Sequence, residues 1–160
     1  MPSTDFTCKS RAVRAMVLIH DDQLRKFLVV WKRAKAAGVK LPATDEPSYQ
    51  SLDTLLFHVF RAARGYMTWM CEKLELPDPE IRVPPDAAVI AAQADAYLEH
   101  VLERWRGPLN DVSDGRLEAP EYPSRWGTKY CIDAMLEHAA IHPVRHAFQL
   151  EELISSSVRL

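Results

Sequence analysis

Glycine is scarce in this sequence, five in 160 residues. No glycine-rich loop is present to cradle a phosphate, and no dinucleotide fingerprint occurs. Cysteine is scarcer still. Cys8, Cys71 and Cys131 are odd in number, scattered and without a CxxC pair. That excludes a disulfide framework and points to reduced thiols. No long Lys/Arg run appears, and the net charge is −2, so nothing marks a nucleic-acid surface. No apolar run reaches membrane-spanning length. The first residues, "MPSTDFTCKSRAVRAM", lack the apolar centre of a signal peptide, so a cytoplasmic protein is expected. No Ser-His-Asp arrangement is recognisable.

What is there is long, periodic and helical. A length of 160 residues with 48% hydrophobic and 26% charged side chains suits one soluble domain over 1–160. The eleven prolines fall mostly between four apolar-periodic stretches. "AMVLIHDDQLRKFLVVWKRAKAAG" places Val17, His20, Leu24, Phe27, Leu28 and Trp31 on one face, with Gly38 as its stop. "SLDTLLFHVFRAARGYMTWMCEKLEL" repeats the pattern through Leu52, Leu55, Val59, Tyr66, Met70 and Leu74. Ser48 or Ser51 can cap it, and Pro77 ends it. "DAAVIAAQADAYLEHVLERWRG" carries Ile90, Ala94, Tyr97, Val101 and Trp105. The last helix is expected from about Thr128 to Ile154. Four such helices predict an all-α four-helix bundle. The connection from Gly107 to Gly127 reads as a solvated crossing loop, although Arg116, Glu118, Tyr122, Arg125 and Trp126 give it the means to fold over one end.

Half of the six histidines fall in "EHAAIHPVRHAFQLEEL", at 138, 142 and 146. On a helix, His142 and His146 bracket the apolar stripe through Met135 and Leu153, whereas His138 lies at its edge. Residues one turn apart are separated by about 6 Å along the axis, a gap that two imidazoles can bridge to one ion. His138 and His146 are about 12 Å apart and cannot share one easily. The pair His142 and His146 is therefore the expected metal site, with His138 beside it in the pocket. A third ligand should come from another helix. His58, inside the apolar run "LDTLLFHVF", is the leading candidate and His20 the competitor. His100 falls on a polar face and reads as solvated. Pro143 removes an amide and disturbs the helix one turn back, near Ala139.

"HPVRHAFQL" resembles the H-x-x-x-H-x-x-Q-[LI] signature on the last helix of the DinB-like (DinB/YfiT) superfamily of small four-helix-bundle metalloproteins. "SLDTLLFHVFRAARGY" resembles that family's second-helix segment. The likeness runs from about Leu18 to Leu153. It implies metal ligands at His58, His142 and His146, with Gln149 matching the signature glutamine. The chain departs from the pattern at Pro143, Ala147 and Phe148, where many members carry Glu, Arg and Gly. The resemblance also implies an up-down-down-up bundle, a zinc or nickel ion, and often a homodimer. Some members are S-transferases or isomerases that use low-molecular-weight thiols.

Three neutral imidazoles would leave a divalent ion open to water or a thiolate, which is the chemistry of a metal-dependent transferase or hydrolase. His138 is the candidate proton shuttle and Tyr66 a candidate donor. Asp53 and Glu137 are candidates to orient ligand rings, although both read more simply as surface charges. Cys71 and Cys131 read as small core residues. The alternative is a non-catalytic metal-containing bundle that binds a small molecule or partner. A homodimer would cover Val30 and Leu102, which lie off the main apolar stripes.

Overall fold

The structure, a computed structural model, describes residues 6–157. It is all-α apart from one small hairpin. Four long helices, α1 (Arg11–Ala36), α2 (Leu52–Lys73), α3 (Ile90–Trp105) and α5 (Ile132–Ser157), carry most of the chain. A one-turn-scale helix α4 (Asp114–Glu118) and the strands β1 (Tyr122–Pro123) and β2 (Lys129–Tyr130) occupy the connection before α5. No helix among the described residues is long and apolar enough to cross a membrane.

Local chemistry sets the helix ends. Ser10 caps α1 by accepting from the Val13 amide, 3.2 Å away. Ser51, and not Ser48, caps α2: its hydroxyl accepts from the Thr54 amide while Thr54 accepts from the Ser51 amide. At the other end of α1, Gly38 takes φ +67°. Its amide reaches Lys35 O and the next amide, of Val39, reaches Ala34 O, at 3.1 and 3.0 Å. This is the paired closure that a left-handed residue makes possible. A Cβ on Gly38 would meet nothing within 4 Å. Gly38→Ala is therefore expected to cost only the left-handed backbone penalty, about 1 kcal/mol in urea unfolding. An unchanged midpoint would show that the closure contributes nothing.

The core is the sum of the apolar stripes. Phe27, Phe60, Met67, Met70 and Trp105 are fully buried. The two deepest indoles also satisfy their N–H groups: Trp31 donates to Leu52 O at 2.6 Å and Trp105 to Ala63 O at 3.0 Å. The most extensive helix pairing is α1 with α5, and α2 packs on both α5 and α3. Leu102, expected at the surface, is buried, and Val30 is half-buried. The reason is that α3 faces both α1 and α2, so its apolar face is wider than one stripe.

Two further expectations need correction. The last helix begins at Ile132 rather than near Thr128, because Lys129 and Tyr130 pair with Pro123 and Tyr122 in the hairpin. That hairpin is also a departure from a purely helical chain. The segment from Gly107 to Gly127 is not a solvated crossing loop. Leu109, Val112 and Leu117 are buried against the helices. Arg116 donates to Leu74 O at 3.0 Å, and the Trp69 indole donates to Pro123 O at 3.1 Å. The Trp69 bond ties the hairpin to α2, while α4 and β2 pack on α5.

Candidate metal centre

Packing of α2 on α5 brings three histidines together. His58 lies two turns into α2, at the edge of its buried face. His142 and His146 lie one turn apart on α5, and both are buried. One candidate ligand atom from each falls within 4.8 Å of the others. His58 Nε2 and His142 Nε2 are 3.1 Å apart. The His142 and His146 rings are 4.7 Å apart between centroids, and His58 meets His146 edge-on at 5.4 Å.

The hydrogen bonding of His146 decides its tautomer. Its Nδ1 lies 3.0 Å from Gln149 Oε1. A carbonyl oxygen only accepts, so Nδ1 carries the proton and donates. Nε2 is then a bare lone pair. It is buried and has no hydrogen-bond partner among the described residues. A buried acceptor left unpaired costs about 1–3 kcal/mol, unless something electrophilic meets it. That is an observation in favour of a cation. Gln149→Ala removes the orienting contact while keeping all three rings, and is expected to weaken divalent-metal binding about 10–100-fold in a competitive chelator titration. Unchanged affinity would mean that Gln149 merely shields the ring.

The electrostatics agree with ligation. Burial pushes the His142 pKa down to about 2, helped by positive charge on His146, His58, Arg145 and His138. Burial also takes His146 down to about 4, against the opposing effect of its bond to Gln149. His58 is lowered by burial and then by Arg61 and Arg145. All three rings are neutral at pH 7, the form that binds a metal.

No family model matches this chain, and no curated protein or solved structure does either.

The other histidines are placed elsewhere. His138 stands outside the cluster, in the wall of the neighbouring cavity. Its ring stacks on Trp126 at 5.3 Å and meets the edges of Tyr66 and Tyr130. His20 lies flat on Trp105, with centroids 3.7 Å apart. Neither of its nitrogens has a partner among the described residues. His100, expected to be solvated, is half-buried and accepts from the Arg82 amide at 3.0 Å. Asp53 pairs with Lys35, and Glu137 is exposed. Neither has a hydrogen bond to the cluster, so the orienting role falls to Gln149.

Several neighbours were not singled out by sequence reasoning. Tyr49, in a short 3-10 turn (Pro47–Tyr49), sets its ring against His58 and His146 at 5.5 and 5.8 Å. Arg61 and Arg145 line the cavity beside the cluster. A signal for the arginines was present: His58-x-x-Arg61 and His142-x-x-Arg145 share one spacing, which puts each arginine on the same helix face as its histidine.

Proposed function

We propose that the protein is a divalent-metal-dependent enzyme, a thiol-dependent S-transferase or a hydrolase, built around His58, His142 and His146. The observation that carries this reading is a cluster of three neutral imidazoles with no fourth His, Cys, Asp or Glu in it among the described residues. His58 and His142 also line a cavity of about 470 Å³. A structural site is normally closed by four protein ligands, whereas a catalytic one keeps a position open. The same observation weighs against the alternative of a purely structural metal.

The residues fit such an ion. The three histidines would each hold zinc or nickel by one nitrogen, and the unpaired Nε2 of His146 would find its partner. An ion there supplies Lewis acidity, which brings water or a thiol toward ionisation at neutral pH. The chain's own groups then divide the remaining work. Burial pushes the Tyr66 hydroxyl up to about 12, so it stays protonated and can donate to a substrate in the cavity. His138 is lowered by burial and by Arg145, so at pH 7 it is neutral and able to accept a proton.

Membership of the DinB-like superfamily, with its up-down-down-up four-helix bundle, belongs to the same reading. It is supported by the order of the four long helices and by the meeting of the α2 histidine with the α5 pair. So does a homodimer. Its support is not Val30 and Leu102 but Ile19 and Ile141, both exposed and lining one groove between α1 and α5. A monomer mass by light scattering at tens of micromolar would remove the dimer. A cytoplasmic setting is supported by three free thiols, and cell fractionation tests it.

Protein purified without an affinity tag should carry zinc or nickel by elemental analysis and transfer low-molecular-weight thiols, or hydrolyse a substrate, only when loaded. A chain that neither retains nor takes up either metal would overturn the proposal.

A further inference from the structure

The cavity beside the histidines is strongly one-sided in charge. Four arginines line it and no carboxylate does. Arg61 and Arg64 come from α2, Arg145 from α5, and Arg125 from the hairpin, where its guanidinium lies 3.5 Å from the position a Cβ on Gly65 would take. Arg64 is partly engaged, since its Nε donates to Ile81 O at 2.8 Å. Elsewhere on the protein Arg25, Arg33, Arg104 and Arg106 pair with acidic side chains. Among the described residues, Arg61, Arg125 and Arg145 have no such partner. Like charges gathered in a concave site, against low-dielectric walls, raise the local concentration of anions. Guanidinium groups also present the fork that carboxylates and other oxyanions accept.

The rest of the wall is aromatic. Trp126 is half exposed, and its other side is held by the stacked His138 ring. Tyr66 abuts it edge-on at 6.5 Å. An indole fixed in this way offers a flat apolar surface next to the guanidinium groups. A volume of about 470 Å³ suits a small molecule rather than a polymer.

We infer that this cavity takes a small organic anion with at least two negative charges, its charged groups on Arg61, Arg125 and Arg145 and its planar or apolar body against Trp126. The inference rests on the proposed function for its place beside a reacting centre, and it names the substrate class of that centre. Anion binding itself needs only the arginines and the indole.

Calorimetric titration of the full chain, with and without a metal chelator, separates the two ideas. The probes are phthalate, benzoate, benzylamine and inorganic phosphate. Phthalate is expected to bind about tenfold more tightly than benzoate in both conditions, with no binding of benzylamine. Loss of one guanidinium contact, in Arg125→Gln, should weaken phthalate about tenfold, and Arg104→Gln, on a distant surface, should change nothing. Trp126→Ala should weaken phthalate while leaving inorganic phosphate as it was. Binding in chelated protein supports the inference whatever becomes of the metal. Benzylamine binding as well as phthalate, or an Arg125→Gln chain with unaltered affinity, would overturn it. So would inorganic phosphate matching phthalate with Trp126→Ala silent.

Discussion

With zinc or nickel at a thousandfold excess, His142→Ala is expected to lose about three quarters of the thermal stabilisation that the ion is proposed to give the native chain. An ion that binds only the folded state adds about 4 kcal/mol at a thousandfold excess over its dissociation constant. Four-ligand structural zinc sites bind with roughly 10–16 kcal/mol, so one imidazole contributes on the order of 3 kcal/mol and its loss weakens binding more than a hundredfold. His142 is central to the cluster: its Nε2 is 3.1 Å from that of His58, and its ring is 4.7 Å from that of His146. His58→Ala should behave in the same way. His138→Ala and His20→Ala should keep the metal-dependent shift, because neither ring belongs to the cluster. Differential scanning with and without metal reads all four. A full shift in His58→Ala together with none in His20→Ala would place the site elsewhere.

The second large effect is the share of acid lability that His20 contributes. Burial alone lowers its pKa to about 3. In the unfolded chain the same ring takes a proton near pH 6.5. Between those values the unfolded state binds the proton and the folded state refuses it. Stability is therefore complete above pH 6.5, falls as pH drops through the interval, and loses nothing more from this group below about 3. The full loss is on the order of 5 kcal/mol, a large share of the stability of a single domain. His20→Phe keeps a flat ring against Trp105 and removes both unpaired nitrogens. Urea unfolding from pH 8 to 4.5 should give a shallower decline in the variant than in the native chain. A packing penalty from the larger ring would lower its curve equally at every pH, so the slope remains the readout. Parallel curves would mean that His20 is not buried in neutral form. In metal-free protein His142 and His146 contribute with the same sign, since burial lowers them too.

The four long helices were legible because their apolar residues recur at helical spacing over many turns; every residue placed on the inward stripes of α1 and α2 is buried, although α2 also buries Leu56, Phe60, Ala63, Met67 and Trp69, a wider face than one stripe. Boundaries and connections were less so. Tyr130 continues the apolar pattern into α5 from outside it, and only its pairing with Tyr122 removes it from the helix. Leu109, Val112 and Leu117 sit too far apart among polar neighbours for periodicity to reveal them as anchors. At the site, the i, i+4 histidine pair was readable from helical geometry, and His58 from its apolar surroundings. Arg61 and Arg145 were not read as part of the site, because an arginine on the rim of a helix face looks like any solvated residue until a second helix closes the cavity. Gln149 was legible as a motif position, but its hold on His146 depends on side-chain rotamers that spacing does not encode.

The pairing of α1 with α5 has a consequence for synthesis. The most extensive helix contact joins α1 to α5, with roughly 120 residues translated between Arg11 and Ile132. At about 5–20 residues per second, a nascent α1 waits on the order of ten seconds for its partner. Through that interval Val13, Val17, Leu24 and Leu28 have only α2 and α3 to shelter them, and His58 has emerged without either of its companions. Contacts of such long sequence separation also slow the final collapse. The ribosome-bound chain is thus the form most exposed to aggregation, and the histidine cluster can form only after α5 has emerged.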